Sequence, residues 1–98
     1  MEFCFKSNDL EVLYTSRKGE HKYPEAVVNG FFKVMSLIAA AKDPRDLLAF
    51  KSRHFEKLHG DREGQHSMRL NDQYRLILEM QEETQGTYLL IIEIVDYH

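Results

Sequence analysis

The chain has 98 residues, which is enough for one domain with one modest core, and we expect a single domain over residues 1–98. Its formal net charge of −3 argues against a protein that holds nucleic acid by overall positive charge. No stretch approaches the roughly 18 to 20 apolar residues of a membrane span, and residues 1–5 lack the order of a signal peptide. We therefore expect a cytoplasmic protein that does not bind a membrane.

The first half of the chain predicts one short strand and then three helices. Asn8 and Glu11 match a capping box at the start of the first helix, and Pro24 suits a first helical position of the second. Asp43 and Pro44 stop the second apolar stripe and fit the first turn of a third helix. The predicted bounds are residues 2–6 for the strand and about 9–18, 24–42 and 43–50 for the helices.

Cys4 lies in the apolar run of the first predicted strand. It is the single cysteine of the chain and cannot form an internal disulfide. A free cysteine among apolar residues is usually a small buried side chain. We therefore expect Cys4 to be buried and without a catalytic role.

After residue 53 the apolar period changes from 3.6 to 2, which predicts a series of strands. Glycine-rich or polar turns separate these strands. The run Tyr88–Ile92 is apolar without interruption, which is typical of a strand buried on both faces, and it should anchor the residues that follow. The predicted strands cover residues 53–59, 65–71, 74–80 and the segment after Gly86.

This order of elements predicts an α+β fold, in which an N-terminal strand and two to three helices pack on one face of an antiparallel sheet. The opposite face, which we call the open face, should then be available for function. Arg69 and Arg75 alternate with the apolar residues of their strands, so we expect both side chains there. The other polar groups expected to converge on this face are Lys57, His59, Arg62, Tyr97 and His98.

These residue types exclude several kinds of chemistry. They include neither paired carboxylates nor a nucleophile with a partner base, so a glycosidase or an acyl-transfer triad is not predicted. His54 and His59 do not have the i, i+4 spacing of a helical zinc site, and no cysteine pair accompanies them. We therefore expect no metal and no cofactor.

The same residue types fit metal-independent cleavage of RNA. A base must remove the proton of the 2′-hydroxyl, and an acid must protonate the departing 5′-oxygen; histidine suits both tasks because its ordinary pKa is about 6.5. Arginine binds phosphate in a bidentate manner, and tyrosine can stack on an extruded base. The stretch from Arg45 to Arg75 has seven lysines and arginines against five carboxylates, although the whole chain is acidic.

Two segments resemble the HigB group of toxins in the RelE/ParE superfamily. Residues 60–76 combine a GDR-x-G-Q turn with an R-x-N-D-Q-x-R hairpin, and residues 95–98 read V-D-Y-H. Length and element order agree over the full chain. The resemblance implies a RelE-like fold and the toxin of a type II toxin-antitoxin system, a ribosome-dependent endoribonuclease that cleaves messenger RNA in the ribosomal A site. It also implies a HigA-like helix-turn-helix antitoxin as partner, with DNA contacted only through that antitoxin.

The resemblance also implies roles for individual residues. Arg75 corresponds to the hairpin arginine that contacts the scissile phosphate, and Tyr97 and His98 correspond to the terminal tyrosine and histidine. His59 stands where the family often has lysine, so His54, Lys57, His59 and His98 all stay open as base or acid. The expected catalytic residues are Arg75, His98, Tyr97 and His59. The expected RNA-binding residues are Lys57, His54, Arg62 and Arg69.

Two other functions stay open. A protein-binding poison of the same fold, as in the gyrase-directed ParE branch, would need no acid or base. A degenerate module would keep the antitoxin-binding surface without cleavage. Tyr97 and His98 favour the nuclease, whereas the missing lysine before Gly60 and the acidic charge leave room for the module. We interpret His66, which stands where an aromatic residue usually begins a strand, as a structural substitution.

Overall fold

The computed structural model describes residues 1–96, in which five strands form one sheet and two α-helices precede most of them in the chain. The elements are β1 (Phe3–Phe5), α1 (Asn8–Ser16), α2 (Glu25–Ala40), β2 (Glu56–Lys57), β3 (Gln65–Arg69), β4 (Tyr74–Glu83) and β5 (Gly86–Asp96). Short 3-10 helices lie at Glu20–Lys22, Pro44–Ala49, Lys51–Arg53 and Gly60–Arg62. Across this part of the chain, no helix combines the length and apolar character that crossing a bilayer requires.

The sheet has the strand order β1-β5-β4-β3-β2. The pairs β2–β3, β3–β4 and β4–β5 are antiparallel, whereas β1 runs parallel to β5, with Cys4 opposite Leu90. The predicted α+β fold is confirmed, but the sheet is mixed rather than wholly antiparallel. The reason is that the whole chain between β1 and β5 acts as the crossover that a parallel pair requires.

Both ends of α1 differ from the prediction. Its cap is Ser7 and not Asn8, because the Ser7 side chain accepts a hydrogen bond of 3.1 Å from the Asp9 N–H. The helix ends at Ser16 because Arg17 takes a left-handed conformation with φ of 59°. The two-residue difference at the end does not change which side of α1 packs inward.

The segment between α2 and β3 departs most from the prediction. The third helix is present, but it is a 3-10 helix, Pro44–Ala49, with the expected cap at Asp43. The strand predicted at residues 53–59 is reduced to the two residues of β2, because His54 takes a left-handed conformation with φ of 46°. As a result β2 pairs with only His66 and Ser67 of β3.

The main core lies between α2 and the sheet, as the apolar patterns predict. The α2 side chains of Phe31, Met35 and Ile38 are 0% exposed. Leu76 and Leu78 of β4 belong to the same buried cluster. Burial of apolar side chains is the dominant favourable contribution to folding, so this cluster holds the sheet against α2.

Gly30 brings the backbone of α2 against the turn between β3 and β4. A Cβ atom at Gly30 would lie 2.1 Å from the Leu70 carbonyl oxygen and 2.8 Å from its carbon, which is far inside van der Waals contact. Any other residue would therefore separate the helix from the turn.

Cys4 is exposed, so the prediction that it is buried is wrong. Successive residues of a strand point to opposite faces. Phe3 and Phe5 pack against the main core, and Cys4 between them points away from it.

Candidate active site on the open face

The open face is only partly open. Ile77 of β4 points to this face and is nevertheless 0% exposed, because Leu58 and Ile92 pack against it in a second small cluster. The chain from Leu58 to Arg62 therefore lies against this face. The polar groups that stay accessible lie to either side of the cluster.

Arg69 and Arg75 stand directly opposite each other on β3 and β4. The Leu70 N–H donates to the Tyr74 carbonyl at 2.9 Å. Hydrogen-bonded and non-hydrogen-bonded pairs alternate along an antiparallel ladder, so Arg69 and Arg75 form a non-hydrogen-bonded pair. In such pairs the side chains lie closest to each other. Both are half-buried. Two arginines at this end of the open face make it a candidate site for an anion such as phosphate, which would share Arg69 with the Asp72 carboxylate.

The turn between the two arginines holds the Arg69 side chain. Its Nε donates to the Asn71 carbonyl at 3.1 Å, and its Nη2 contacts the Asp72 carboxylate. The Asn71 side chain in turn accepts hydrogen bonds from the N–H groups of Gln73 and Tyr74, at 3.0 and 2.7 Å. The predicted hairpin is therefore a tightly bonded turn, and its geometry sets the position of Arg69.

Strand β5 ends beside this turn. Asp96, its last residue, is opposite Tyr74, and its carboxylate accepts a hydrogen bond of 2.9 Å from Gln73 Nε2. The predicted site residues Tyr97 and His98 follow directly in the sequence and lie outside the described residues.

Arg62 is on the open face, but its guanidinium already has partners. Its Nη1 donates to Gln65 Oε1 at 3.1 Å and its Nη2 to Glu93 Oε1 at 3.3 Å. The Glu93 side chain is 48% exposed, so this ion pair is weak and open to exchange with another anion. Arg62 therefore lies where another anion can compete with Glu93.

His54 and His59 lie on either side of β2, in the segment between α2 and β3. His59 is exposed and precedes the 3-10 helix Gly60–Arg62. His54 Nδ1 is 3.6 Å from Glu56 Oε1, a contact that becomes an ion pair when the imidazole is protonated. The structure therefore does not join these histidines and the arginines into one cluster of the described side chains.

Lys57 points to the other face of the sheet, so the expectation that it converges with the arginines is wrong. It stands opposite His66 on β3, and residues opposite each other in a sheet share a face. Both line a groove of about 540 Å³ beside the helix Pro44–Ala49, away from the open face. The short β2 fixes this orientation, because its two residues alternate and Glu56 takes the open side.

His66 occupies the aromatic position that the sequence analysis assigned to it. Its ring stacks on Phe55, with centroids 4.9 Å apart and planes 10° from parallel. Burial lowers the pKa of His66 below its ordinary value, and the nearby Lys57 ammonium lowers it further. Its Nδ1 is buried and has no hydrogen-bond partner among residues 1–96.

Glu93 and Gln65, the partners of Arg62, were not predicted from the sequence. A signal for Glu93 was available, since it is a lone carboxylate between Ile92 and Ile94 in an apolar strand. In residues 1–96, no group of three or more histidine, cysteine or carboxylate side chains is placed to hold a metal ion.

The architecture matches a known fold. The fold is similar to that of the YoeB/ParE toxin from Agrobacterium tumefaciens, with a TM-score of 0.57 over 100% of both chains and 16% sequence identity. A likeness at this identity concerns the fold alone. The fold is that of the small RelE/ParE-type toxins.

Sequence comparison gives the family within that class. A sequence model described as the RelE-like toxin of type II toxin-antitoxin system HigB matches residues 3–98. Toxin HigB-1 of Vibrio cholerae serotype O1 is 35% identical over 79 residues, which cover 81% of this chain and 83% of that protein. The chain belongs to the HigB-like family of toxins of type II toxin-antitoxin systems, as its motifs predicted. Membership in such a system implies a cognate antitoxin as partner.

Proposed function

We propose that this HigB-like toxin is a metal-independent endoribonuclease that cuts messenger RNA in the A site of the ribosome. The supporting observation is the opposed pair of Arg69 and Arg75 beside the end of β5. In the reaction, the 2′-oxygen attacks the adjacent phosphorus and the bond from phosphorus to the 5′-oxygen breaks. The products are a 2′,3′-cyclic phosphate and a 5′-hydroxyl end. The attacking group belongs to the RNA itself, so the reaction requires no co-substrate.

Each site residue has a proposed role. Arg75 binds the non-bridging oxygens of the scissile phosphate and stabilises the charge of the transition state. Tyr97 stacks on a base, and His98 transfers a proton as base or acid. His59 and His54 are the alternatives for the second proton transfer, because both are exposed beside this face.

The proposed RNA path continues from Arg69 and Arg75 toward the segment Leu58–Arg62, which lies against the open face. Arg69 contacts the phosphate next to the scissile one, and Arg62 exchanges Glu93 for a further phosphate. Lys57 has no part in this path, because it points to the other face. The accessible positive charge is small, so free RNA should bind weakly, and the ribosome must supply the positioning.

The partner and location follow from this function. The cognate antitoxin is a helix-turn-helix protein of the HigA type, and the toxin reaches DNA only through it. Cleavage takes place in the cytoplasm, where ribosomes translate.

Mapping the 5′ ends of cellular RNA after brief induction tests the proposal. We expect new ends at fixed positions within codons of translated messages, and none after induction of the Arg75→Ala variant. Purified toxin should leave naked messenger RNA intact at physiological salt. Growth arrest with broken DNA and no new RNA ends would support the protein-binding poison, and neither effect would support the degenerate module.

A further inference from the structure

We infer that Arg53 is a positioning residue for cleavage, which acts by holding the turn that carries Arg69 and Arg75. Arg53 belongs to the 3-10 helix Lys51–Arg53. Its Nη1 donates to the carbonyl oxygens of Arg69 and Leu70, both at 3.2 Å. The role in catalysis rests on the proposed function, whereas the hold on the turn is a separate structural claim.

The two carbonyls are available because neither neighbouring strand supplies a backbone donor to them. A regular ladder would direct the Tyr74 N–H to the Leu70 carbonyl, but this N–H donates instead to Asn71 Oδ1 at 2.7 Å. On the outer side, β2 reaches only as far as Ser67, so it offers no donor to the Arg69 carbonyl. Buried carbonyls require donors, and one Arg53 nitrogen serves both.

Gly30 supports the same peptide from α2. Its backbone lies so close to the Leu70 carbonyl that even a methyl group would not fit. The Leu70 peptide is therefore held between the guanidinium of Arg53 and the backbone of α2. Arg53 and α2 therefore hold the turn from two sides, in addition to its internal hydrogen bonds and the bond from Gln73 to Asp96 of β5.

Such a hold matters because the turn sets the geometry of two like charges. The guanidinium of Arg69 is bound to the Asn71 carbonyl, so any shift of the turn moves it relative to Arg75. Arg69 and Arg75 also stand opposite each other across β3 and β4, so a shift of the turn changes the position of one relative to the other. A displacement of about 1 Å in a reacting group can lower the rate by about 100-fold. Arg53 itself is half-buried and directs one nitrogen to backbone oxygens, so it acts through the pair.

The activity test uses Arg53→Met in single-turnover cleavage on programmed ribosomes. We expect the maximal rate to fall about tenfold or more, with an unchanged half-saturating concentration and salt dependence, and partial rescue by Arg53→Lys. Arg45→Ala is the matched control, since it removes an exposed arginine that pairs with Asp43. If Arg53 instead contacted RNA, its loss would weaken binding and reduce the salt slope by about one phosphate.

A double-mutant cycle separates action through the pair from independent action. In the Arg75→Lys background, Arg53→Met should lower the rate less than it does in the wild type, because the positioned group is already impaired. The same fold-loss from Arg53→Met in both backgrounds would show that Arg53 acts independently of Arg75 and would overturn the inference.

Hydrogen exchange tests the hold on the turn without any use of activity. Arg53→Met should accelerate exchange of amides 70–74 and leave those of α2 and β5 near their wild-type rates. Unchanged exchange, or acceleration spread over the whole chain, would overturn the inference; if Arg53→Met does not fold, Arg53→Lys is measured instead. Failure of the wild type to cleave on ribosomes would refute the proposed function and the catalytic role, while exchange still decides whether Arg53 holds the turn.

Discussion

The two faces of β4 carry different tasks on one strand. Leu76 and Leu78 point to α2 and are 0% exposed, whereas Arg75 and Glu79 alternate with them and stay partly accessible. Neighbouring residues are held by the same backbone, so the packed face supplies rigidity to the charged one. We therefore expect substitution of Leu76 or Leu78 to change mainly stability, and substitution of Arg75 to change mainly activity.

The largest expected effect is loss of the charged face through Arg75→Ala. Removing a group that stabilises transition-state charge typically lowers the rate by about 100- to 1,000-fold. Thermal unfolding should stay close to that of the wild type, since the neighbouring core residues Tyr74 and Leu76 are kept. Single-turnover cleavage beside a thermal melt measures both quantities, and a variant that is unfolded or nearly fully active contradicts the assignment.

His98→Ala should come next, with a rate lower by about 100-fold, the lower end for loss of a proton donor or acceptor. The melting temperature should change little, because the proposed role is proton transfer alone. Tyr97→Phe separates the neighbouring roles, since stacking survives and a hydroxyl contribution does not. Equal losses of activity and stability in His98→Ala would assign this residue a structural role.

On the packed face, Leu76→Ala should destabilise the fold by about 2–5 kcal/mol, because it removes a fully buried side chain and leaves a cavity. Glu79→Ala on the same strand is the control, and its effect should stay within about 0.5 kcal/mol. Urea unfolding of both variants gives the comparison. Similar losses in the two variants would show that the faces are not separated in this way.

The smallest expected effect concerns His66→Phe, which keeps the stack on Phe55 and removes the buried Nδ1. It should stabilise the fold by up to about 1 kcal/mol. The pKa of His66 is lower in the folded protein than in the unfolded chain. Neutral His66 therefore contributes to the stability of the wild type above about pH 6.5, and this stability is lost as the pH falls through the pKa of the folded protein. Urea unfolding at several pH values measures this effect. Below about pH 6.5, the free energy of unfolding should depend less on pH in His66→Phe than in the control His21→Gln, which removes an exposed histidine.

The sequence predicted the helices, the hairpins and the face of Arg75, because apolar periodicity and turn residues encode them locally. The extra residue in β5 near Ile92 was not predictable in this way. Simple alternation from Leu89 and Ile91 would place Glu93 in the core, whereas the bulge returns it to the open face beside Arg62. Lys57 was misplaced for a different reason. Alternation from Phe55, which packs against the main core, places Lys57 on that same side, and this parity was not applied.

The close contact at Gly30 has a genetic consequence. Every missense change of a glycine codon adds at least one carbon atom, and here that atom would meet the Leu70 carbonyl. A cell that carries the toxin gene without its antitoxin could thus escape through a single base change far from the surface where RNA is proposed to bind. Survivors of forced toxin expression should include substitutions at Gly30. Such a substitution would inactivate the toxin through its packing and leave every residue of the proposed RNA site unchanged.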